Sequence, residues 1–315
     1  MKVLSKTGRD DIAFLYIAEM RPGKCVEFVE SQQPPVPKSE KWVLIVSTLF
    51  GCPVGCGMCD AGGWYEGRLT KEEIFAQIDY LICKSFPERK VPVKKFKIQF
   101  ARMGEPAFNP AVLDVLQEFS HRYRAPGFIP SISTIAPEGS EPFFSRLLNI
   151  KKEYYSKGNF QLQFSIHTTD KAIRDKLIPA KKWDFSKIAD YANKFFSPGD
   201  RKITLNFALA EDSPFSAEVL TRYFNPEVFF IKITPVNPTI NALKNKIGNF
   251  VINEASANES EPVKFLRDKG YDVLVSIGEL EENKIGSNCG QYVKKFLDGD
   301  YKMENESYRF VMQPL

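Results

Sequence analysis

Three cysteines, Cys52, Cys56 and Cys59, follow an apolar, strand-like run in the frame Cys52-Pro-Val-Gly-Cys56-Gly-Met-Cys59. Thiolate is the usual ligand of iron–sulfur clusters. Three thiolates on one tight loop can therefore hold three irons of a [4Fe–4S] cube and leave the fourth iron open to a small molecule. A structural zinc site is the competing reading, but zinc needs four closed protein ligands. The chain offers little to close such a site: its two histidines are His121 and His167, and Cys25, Cys83 and Cys289 are scattered singly. Six cysteines in 315 residues, behind an N-terminus without an apolar signal core, point to a reducing, cytoplasmic setting rather than to disulfides.

The elements that must position this loop read as strands and helices taking turns. The run 41–47 is β-branched and apolar; 70–86 then carries Ile74, Ile78, Leu81 and Ile82 at helical spacing behind a Thr-x-x-Glu cap. The pattern recurs with 96–100 then 109–123, 129–134 then 141–155, and 161–166 then 170–177 and 185–196. It continues with 202–209 then 217–224, and 228–234 followed by a looser segment and 261–269. Strands each followed by a helix predict an α/β fold with a parallel sheet, in which active sites collect at the C-terminal strand ends. The second strand runs into Ala101-Arg-Met-Gly-Glu-Pro106, where Gly104 lets backbone approach a ligand and Glu105 offers a carboxylate acceptor. The same Gly-Glu-Pro reads equally as a turn leading into the next helix. A hydrophobic content of 43% supplies ample core. No stretch approaches the roughly 18 apolar residues of a membrane span. The formal charge of +4 is far from the footprint of a dedicated nucleic-acid binder.

With Cys52, Cys56 and Cys59 after the first strand and Gly104-Glu105-Pro106 after the second, the chain resembles the radical S-adenosylmethionine enzymes. Within them it resembles the RlmN/Cfr family of RNA adenine methylases. The likeness extends over Met103–Asn109, Ser133-Thr134, Phe164-Ser-Ile-His167 with Ile173-Arg-Asp175 and Ile178-Pro179, Ile233-Thr-Pro-Val-Asn237-Pro238, and Asn288-Cys289-Gly-Gln291. The resemblance implies a partial (β/α)6 TIM-like barrel over residues 41–280, a β-hairpin extension and Pro-rich linker over 1–40, and a tail over 281–315. It also implies that Cys52, Cys56 and Cys59 hold the [4Fe–4S] cluster and that S-adenosyl-L-methionine binds its open iron. Met58, Gly104, Glu105, Ser133, Ser165, Ile166, His167 and Asn237 would line the cofactor pocket. His167 ends an apolar strand, where a lone histidine is most often a satisfied structural residue. Met58 stands where the superfamily commonly has an aromatic residue.

The resemblance further makes Cys289 a methyl carrier: its sulfur takes a methyl group from one cofactor molecule, and hydrogen is then removed from that methyl to give a carbon radical able to attack an unreactive aromatic carbon. A buried packing thiol is the plainer reading, although the Gly-flanked polar setting of Cys289 makes it a poor core residue. Glu27, in Val26-Glu-Phe-Val29, matches the family's proton acceptor. Two departures matter. Ile45 stands where the methylases have the cysteine that resolves the carrier–product link; Cys25, two residues before Glu27, would share a strand face with it and is the candidate substitute. There is also no room for the family's N-terminal RNA-contacting domain, which with the near-neutral charge disfavours a large structured RNA. The expected activity is methylation of an unreactive sp2 carbon of a nucleobase or small heteroaromatic. The alternatives are direct use of the 5′-deoxyadenosyl radical on a small molecule or peptide, and a cluster that only transfers electrons. A reductant such as flavodoxin or ferredoxin is the implied partner; no membrane is.

Overall fold

The computed structural model describes residues 1–32, 36–209, 213–247, 257–276, 292–297 and 313–314. Cys289 and its neighbours Asn288, Gly290 and Gln291 lie outside the described residues, as do 33–35 of the Pro-rich linker. The chain divides into two compact units. Residues 1–53, 60–132 and 279–315 form the first, and residues 54–59 and 133–278 the second.

The first unit opens with three antiparallel strands, β1 (Lys2–Arg9), β2 (Ala13–Arg21) and β3 (Lys24–Ser31), and β3 pairs in turn with β4 (Lys41–Val46). Tight turns at 10–12 and 22–23 fix this meander, which is one strand longer than the hairpin expected within 1–40. A small antiparallel ribbon, β5 (Leu49–Gly51) with β6 (Tyr65–Arg68), frames the cysteine loop in place of the direct strand-to-loop passage the sequence suggested. Helix α1 (Lys71–Ser85) begins where Thr70 and Glu73 exchange side chain and backbone bonds, the capping box read from Thr-x-x-Glu. Strand β7 (Lys95–Phe100) then lies parallel to β4, and helix α2 (Ala111–Arg122) leads to β8 (Phe128–Thr134), parallel to β7. In-register Trp42, Phe96 and Phe128 knit the three strands together; Trp42 and Phe96 stack with ring centroids 5.0 Å apart. His121 is an exposed residue of α2.

Strand β8 passes from the first unit into the second at residues 132–133. There follow α3 (Glu141–Tyr154), β9 (Gln161–Ser165), α4 (Lys171–Leu177), α5 (Phe185–Phe195), β10 (Ile203–Leu209), α6 (Ala217–Tyr223) and β11 (Phe229–Pro235). Next come α7 (Ile240–Lys244), α8 (Glu261–Asp268) and β12 (Asp272–Val275). Strands β9 to β12 are parallel and stand in chain order. Side-chain caps start α4 (Asp170), α5 (Asp184), α6 (Ser216) and α7 (Thr239), each accepting a first-turn N–H. The core is aromatic, with Phe144 packed on Trp183 at 4.4 Å and Phe224 on Phe229 at 4.9 Å between ring centroids.

This is a mixed α/β fold with a mostly parallel central sheet, as the alternation predicts. β12 adds a parallel strand beyond the six expected, and among the described residues the run of parallel strands stays open. The tail contributes α9 (Val293–Leu297) and β13 (Gln313–Pro314), the latter paired with β1. No described helix is long and apolar enough to cross a membrane.

Candidate active site

The second unit holds Cys56, Met58, Cys59, Ser133, Ser165, Ile166, His167 and Asn237; the first holds Cys25, Glu27, Ile45, Cys52, Gly104 and Glu105. Chain continuity through residues 52–56 joins the two parts of the cysteine loop.

The loop from Cys56 to Cys59 is tied down by a short capped helix. Thr239 Oγ1 donates to the Met58 carbonyl at 2.7 Å, Asn241 Nδ2 to the Cys59 carbonyl at 2.8 Å, and Asn245 Nδ2 to the Gly57 carbonyl at 2.8 Å. The Gly57 N–H donates to the Leu177 carbonyl, and a side chain at Gly57 would bring a Cβ to 3.2 Å from Ile247. Three consecutive carbonyls are thus held by three side chains of one segment that begins at Asn237. The positions flanking each sulfur are fixed through backbone oxygen atoms. Cys52, Cys56, Met58 and Cys59 are all half-buried. On the other side, the Cys52 N–H donates to the Trp64 carbonyl at 2.9 Å, which anchors the loop's first cysteine to the β5–β6 ribbon.

These residues fit a cluster. Three soft thiol donors on a loop with a fixed backbone suit iron and sulfide.

After β7, Gly104 adopts φ +96°, a conformation that L side chains rarely reach, and a Cβ there would stand 2.4 Å from Leu49 Cγ. The turn presents Glu105, a buried carboxylate whose Oε1 accepts the Ala107 N–H at 3.0 Å. Asn109 stabilises the same turn by donating to the carbonyls of Thr48 and Leu69, both at 2.8 Å. At the ends of the parallel strands of the second unit, Ser133 Oγ accepts from Gln163 Nε2 at 3.0 Å. Ser165 is half-buried and Ile166 fully buried. His167 turns out of β9 with φ +65°, and its Nδ1 accepts the Ala208 N–H at 3.0 Å, which places the ring proton on Nε2. Burial first, then the Arg174 charge, pulls its pKa down to about 4, so the imidazole is neutral at physiological pH. Asn237 is half-buried, and its carbonyl accepts the Thr239 N–H at 2.7 Å.

Glu27 is fully buried on β3. Its Oε1 lies 2.6 Å from Nη2 of the equally buried Arg102, at ion-pair distance but off hydrogen-bond alignment. Its Oε2 accepts the N–H groups of Tyr292 at 2.8 Å and Val293 at 3.3 Å. Loss of water is the largest influence and holds the carboxyl's pKa above the ordinary value; Arg102 and the two amides act against it without cancelling it. Cys25, also buried, sits two residues along the same strand, and burial followed by the charges of Glu19 and Glu66 pushes its thiol up to about 11. Ile45 pairs with Val29 and Gln99, flanked by β3 and β7.

Sequence reasoning missed Arg102, Thr239, Asn241, Asn245 and the Tyr292–Val293 amides. A signal existed for the clasp: Thr239-x-Asn241-x3-Asn245 puts three hydrogen-bonding side chains on a five-residue helix and its two caps.

No protein-family model matches the chain. Among curated proteins it is 27% identical over 252 residues to the probable dual-specificity RNA methyltransferase RlmN of Desulfitobacterium hafniense, covering 76% of this chain and 68% of the relative. It is 26% identical over 311 residues to the dual-specificity RNA methyltransferase RlmN of Marinomonas sp., covering 94% of this chain and 77% of that one. In fold it is similar to a radical SAM methyltransferase from Sphaerobacter thermophilus, with TM-score 0.69, 21% identity, and coverage of 92% of this chain and 81% of the other. The α/β architecture and these relatives support an enzyme with a radical S-adenosylmethionine relationship, which implies a [4Fe–4S] cluster and S-adenosylmethionine as cofactors. Within that class, its relationship is to the RlmN/Cfr-like enzymes.

Proposed function

We propose that the chain methylates an unreactive sp2 carbon of a nucleobase or small heteroaromatic, with Cys289 carrying the one-carbon unit as a thioether. The observation that carries the cofactor part of this reading is the clasp. The residue matched to the cofactor, Asn237, begins the segment whose Thr239, Asn241 and Asn245 hold the carbonyls around Cys56 and Cys59.

Cys52, Cys56 and Cys59 would hold the cluster, which when bound supplies the electron that splits the sulfonium of S-adenosylmethionine. Glu105 would accept from the cofactor's amino group. Ser133, Ser165, Ile166, His167 and Asn237 would contact ribose and adenine, His167 as a neutral ring donating from Nε2. Met58 would pack against the adenine with a flexible apolar side chain. The named substrate of the relatives, RNA, supports a nucleobase. The formal charge of +4 favours a short or small substrate over a large structured one. An external one-electron reductant completes the reaction.

A second reading is favoured by one specific observation. Ile45 replaces the family's resolving cysteine, and Cys25 has its thiol pushed up to about 11, which leaves it protonated and a poor nucleophile at neutral pH. An enzyme that turns the 5′-deoxyadenosyl radical directly on substrate needs no resolving thiol.

Mass spectrometry of protein reconstituted without oxygen and given S-adenosylmethionine separates the two. A gain of one methylene on the Cys289 peptide with release of S-adenosylhomocysteine supports methylation. An unmodified Cys289 with continued 5′-deoxyadenosine formation supports the second reading.

A further inference from the structure

An ionised carboxylate is kept in a protein interior only when its charge is compensated and its lone pairs are used. Glu27 faces the Arg102 guanidinium after β7 through Oε1, at ion-pair distance without an aligned hydrogen bond, and its Oε2 accepts the amides of Tyr292 and Val293, 265 and 266 residues from it in sequence. Those amides are those of the residue before α9 and of its first residue, whose N–H groups have no acceptor within the helix. Glu27, Arg102, Tyr292 and Val293 lie in the same compact unit. Tyr292 and Val293 are themselves buried, so the tail is seated and not merely touching.

We propose that Glu27, held by Arg102, is the latch that docks the C-terminal tail on β3. It is a positioning residue. Arg102 balances the charge through Oε1, leaving Oε2 to receive the tail. Covalent geometry carries the consequence further. Cys289 is three residues before Tyr292, so the two Cα atoms are within about 11 Å of each other whatever path the chain takes between them. The latch thereby confines the thiol's reach to the neighbourhood of β3. The value of that confinement for methyl transfer rests on the function proposed above; the latch itself does not.

The test uses the full-length chain and the double variant Glu27→Leu/Arg102→Met, which replaces a buried pair by apolar groups and so tends to preserve the fold. Hydrogen exchange of the peptide spanning 292–297 should accelerate roughly 10-fold to 100-fold, the equivalent of charge-assisted bonds to backbone amides. Exchange in β1 and β2 should be unchanged. Alkylation of Cys289 by iodoacetamide should quicken relative to Cys83 in the same molecule, whereas general loosening would quicken both. Unchanged exchange at 292–297 in the folded double variant overturns the proposal. Should that variant fail to fold, Tyr292→Pro against Tyr292→Ala serves instead. Both remove the same side chain, but only proline removes the N–H that Glu27 accepts. Faster exchange of 293–297 in the proline variant alone supports the latch; equal exchange overturns it. Methylene gain at Cys289 is scored separately, so a latch without a methyl carrier, or a carrier without a latch, is each recognisable.

Discussion

Replacing Gly104 by alanine tests the turn that presents Glu105. The backbone there has φ +96°, and an L side chain in such a conformation costs roughly 1–2 kcal/mol. The added Cβ would stand 2.4 Å from Leu49 Cγ, 2.5 Å from Leu49 Cβ and 2.8 Å from Leu49 Cδ1. Overpacking of that kind costs about 1–3 kcal/mol. Leu49 has little room to retreat, because its own N–H is tied to the Met103 carbonyl at 3.1 Å and its side chain is fully buried. The sum, about 2–5 kcal/mol, should appear in urea unfolding of the apoprotein followed by circular dichroism. Because Glu105 adjoins the strained residue, cofactor affinity measured by equilibrium dialysis on the cluster-loaded protein should fall with it. Leu49→Ala in the same chain removes Cγ and Cδ1 but keeps the Cβ at 2.5 Å. The pair should therefore be less destabilised than the sum of the single variants by about 1 kcal/mol, with the φ strain unrelieved. A Gly104→Ala protein within about 0.5 kcal/mol of wild type and binding cofactor normally would refute both the strain and the close packing.

The neutral His167 predicts an acid-sensitive fold. Its folded pKa of about 4 lies below the ordinary 6.5, so the unfolded chain takes the proton first and stability falls as pH drops from about 6.5 toward 4 and is level above that window. With His167 half-buried as a residue the loss is about 2 kcal/mol; urea midpoints at pH 7 and pH 4.5 should show it in wild type and not in His167→Asn, and the same midpoint change in both proteins would count against it. Removing clasp donors by Thr239→Val and Asn241→Ala should cost about 1 kcal/mol each in the apoprotein. The double variant should exchange the 56–59 amides faster and take up less iron and sulfide on anaerobic reconstitution; normal uptake would argue that the clasp is incidental. In the second unit, buried Lys151 is paired with Asp200 and donates to the Phe195 carbonyl at 2.9 Å. Asp200→Ala should cost about 3–5 kcal/mol by stranding the ammonium, and a loss below 1 kcal/mol in the same urea assay would show the pair to be dispensable.

Local signals made most of the scaffold readable. Thr70 and Glu73 advertised the start of α1, and β-branched runs such as Trp42 to Val46 marked buried strands. Where the signal is weak or shared, reading fell short. Asp272–Val275 is too short to distinguish from a loop, and Leu49–Gly51 is masked by the cysteine motif beside it. β1, with Lys2, Lys6 and Arg9 in a half-exposed strand, lacks an apolar face to announce itself. At the candidate site, spacing exposed the thiols and Gly104-Glu105. The partners of Glu27 could not be read, because nothing local links residue 27 to Arg102 or to the amides of 292 and 293. The clasp likewise joins carbonyls of 57–59 to side chains more than 180 residues away. Long-range polar contacts depend on how strands and loops are brought together, which periodicity does not encode.

The most direct measurement is the iron and acid-labile sulfide content of protein purified and reconstituted without oxygen, set beside Cys52→Ala, Cys56→Ala and Cys59→Ala. About four irons and four sulfides per wild-type chain, with marked loss in each variant, is the predicted result. Stoichiometric zinc, or iron and sulfide indifferent to the three cysteines, would contradict the account at its root.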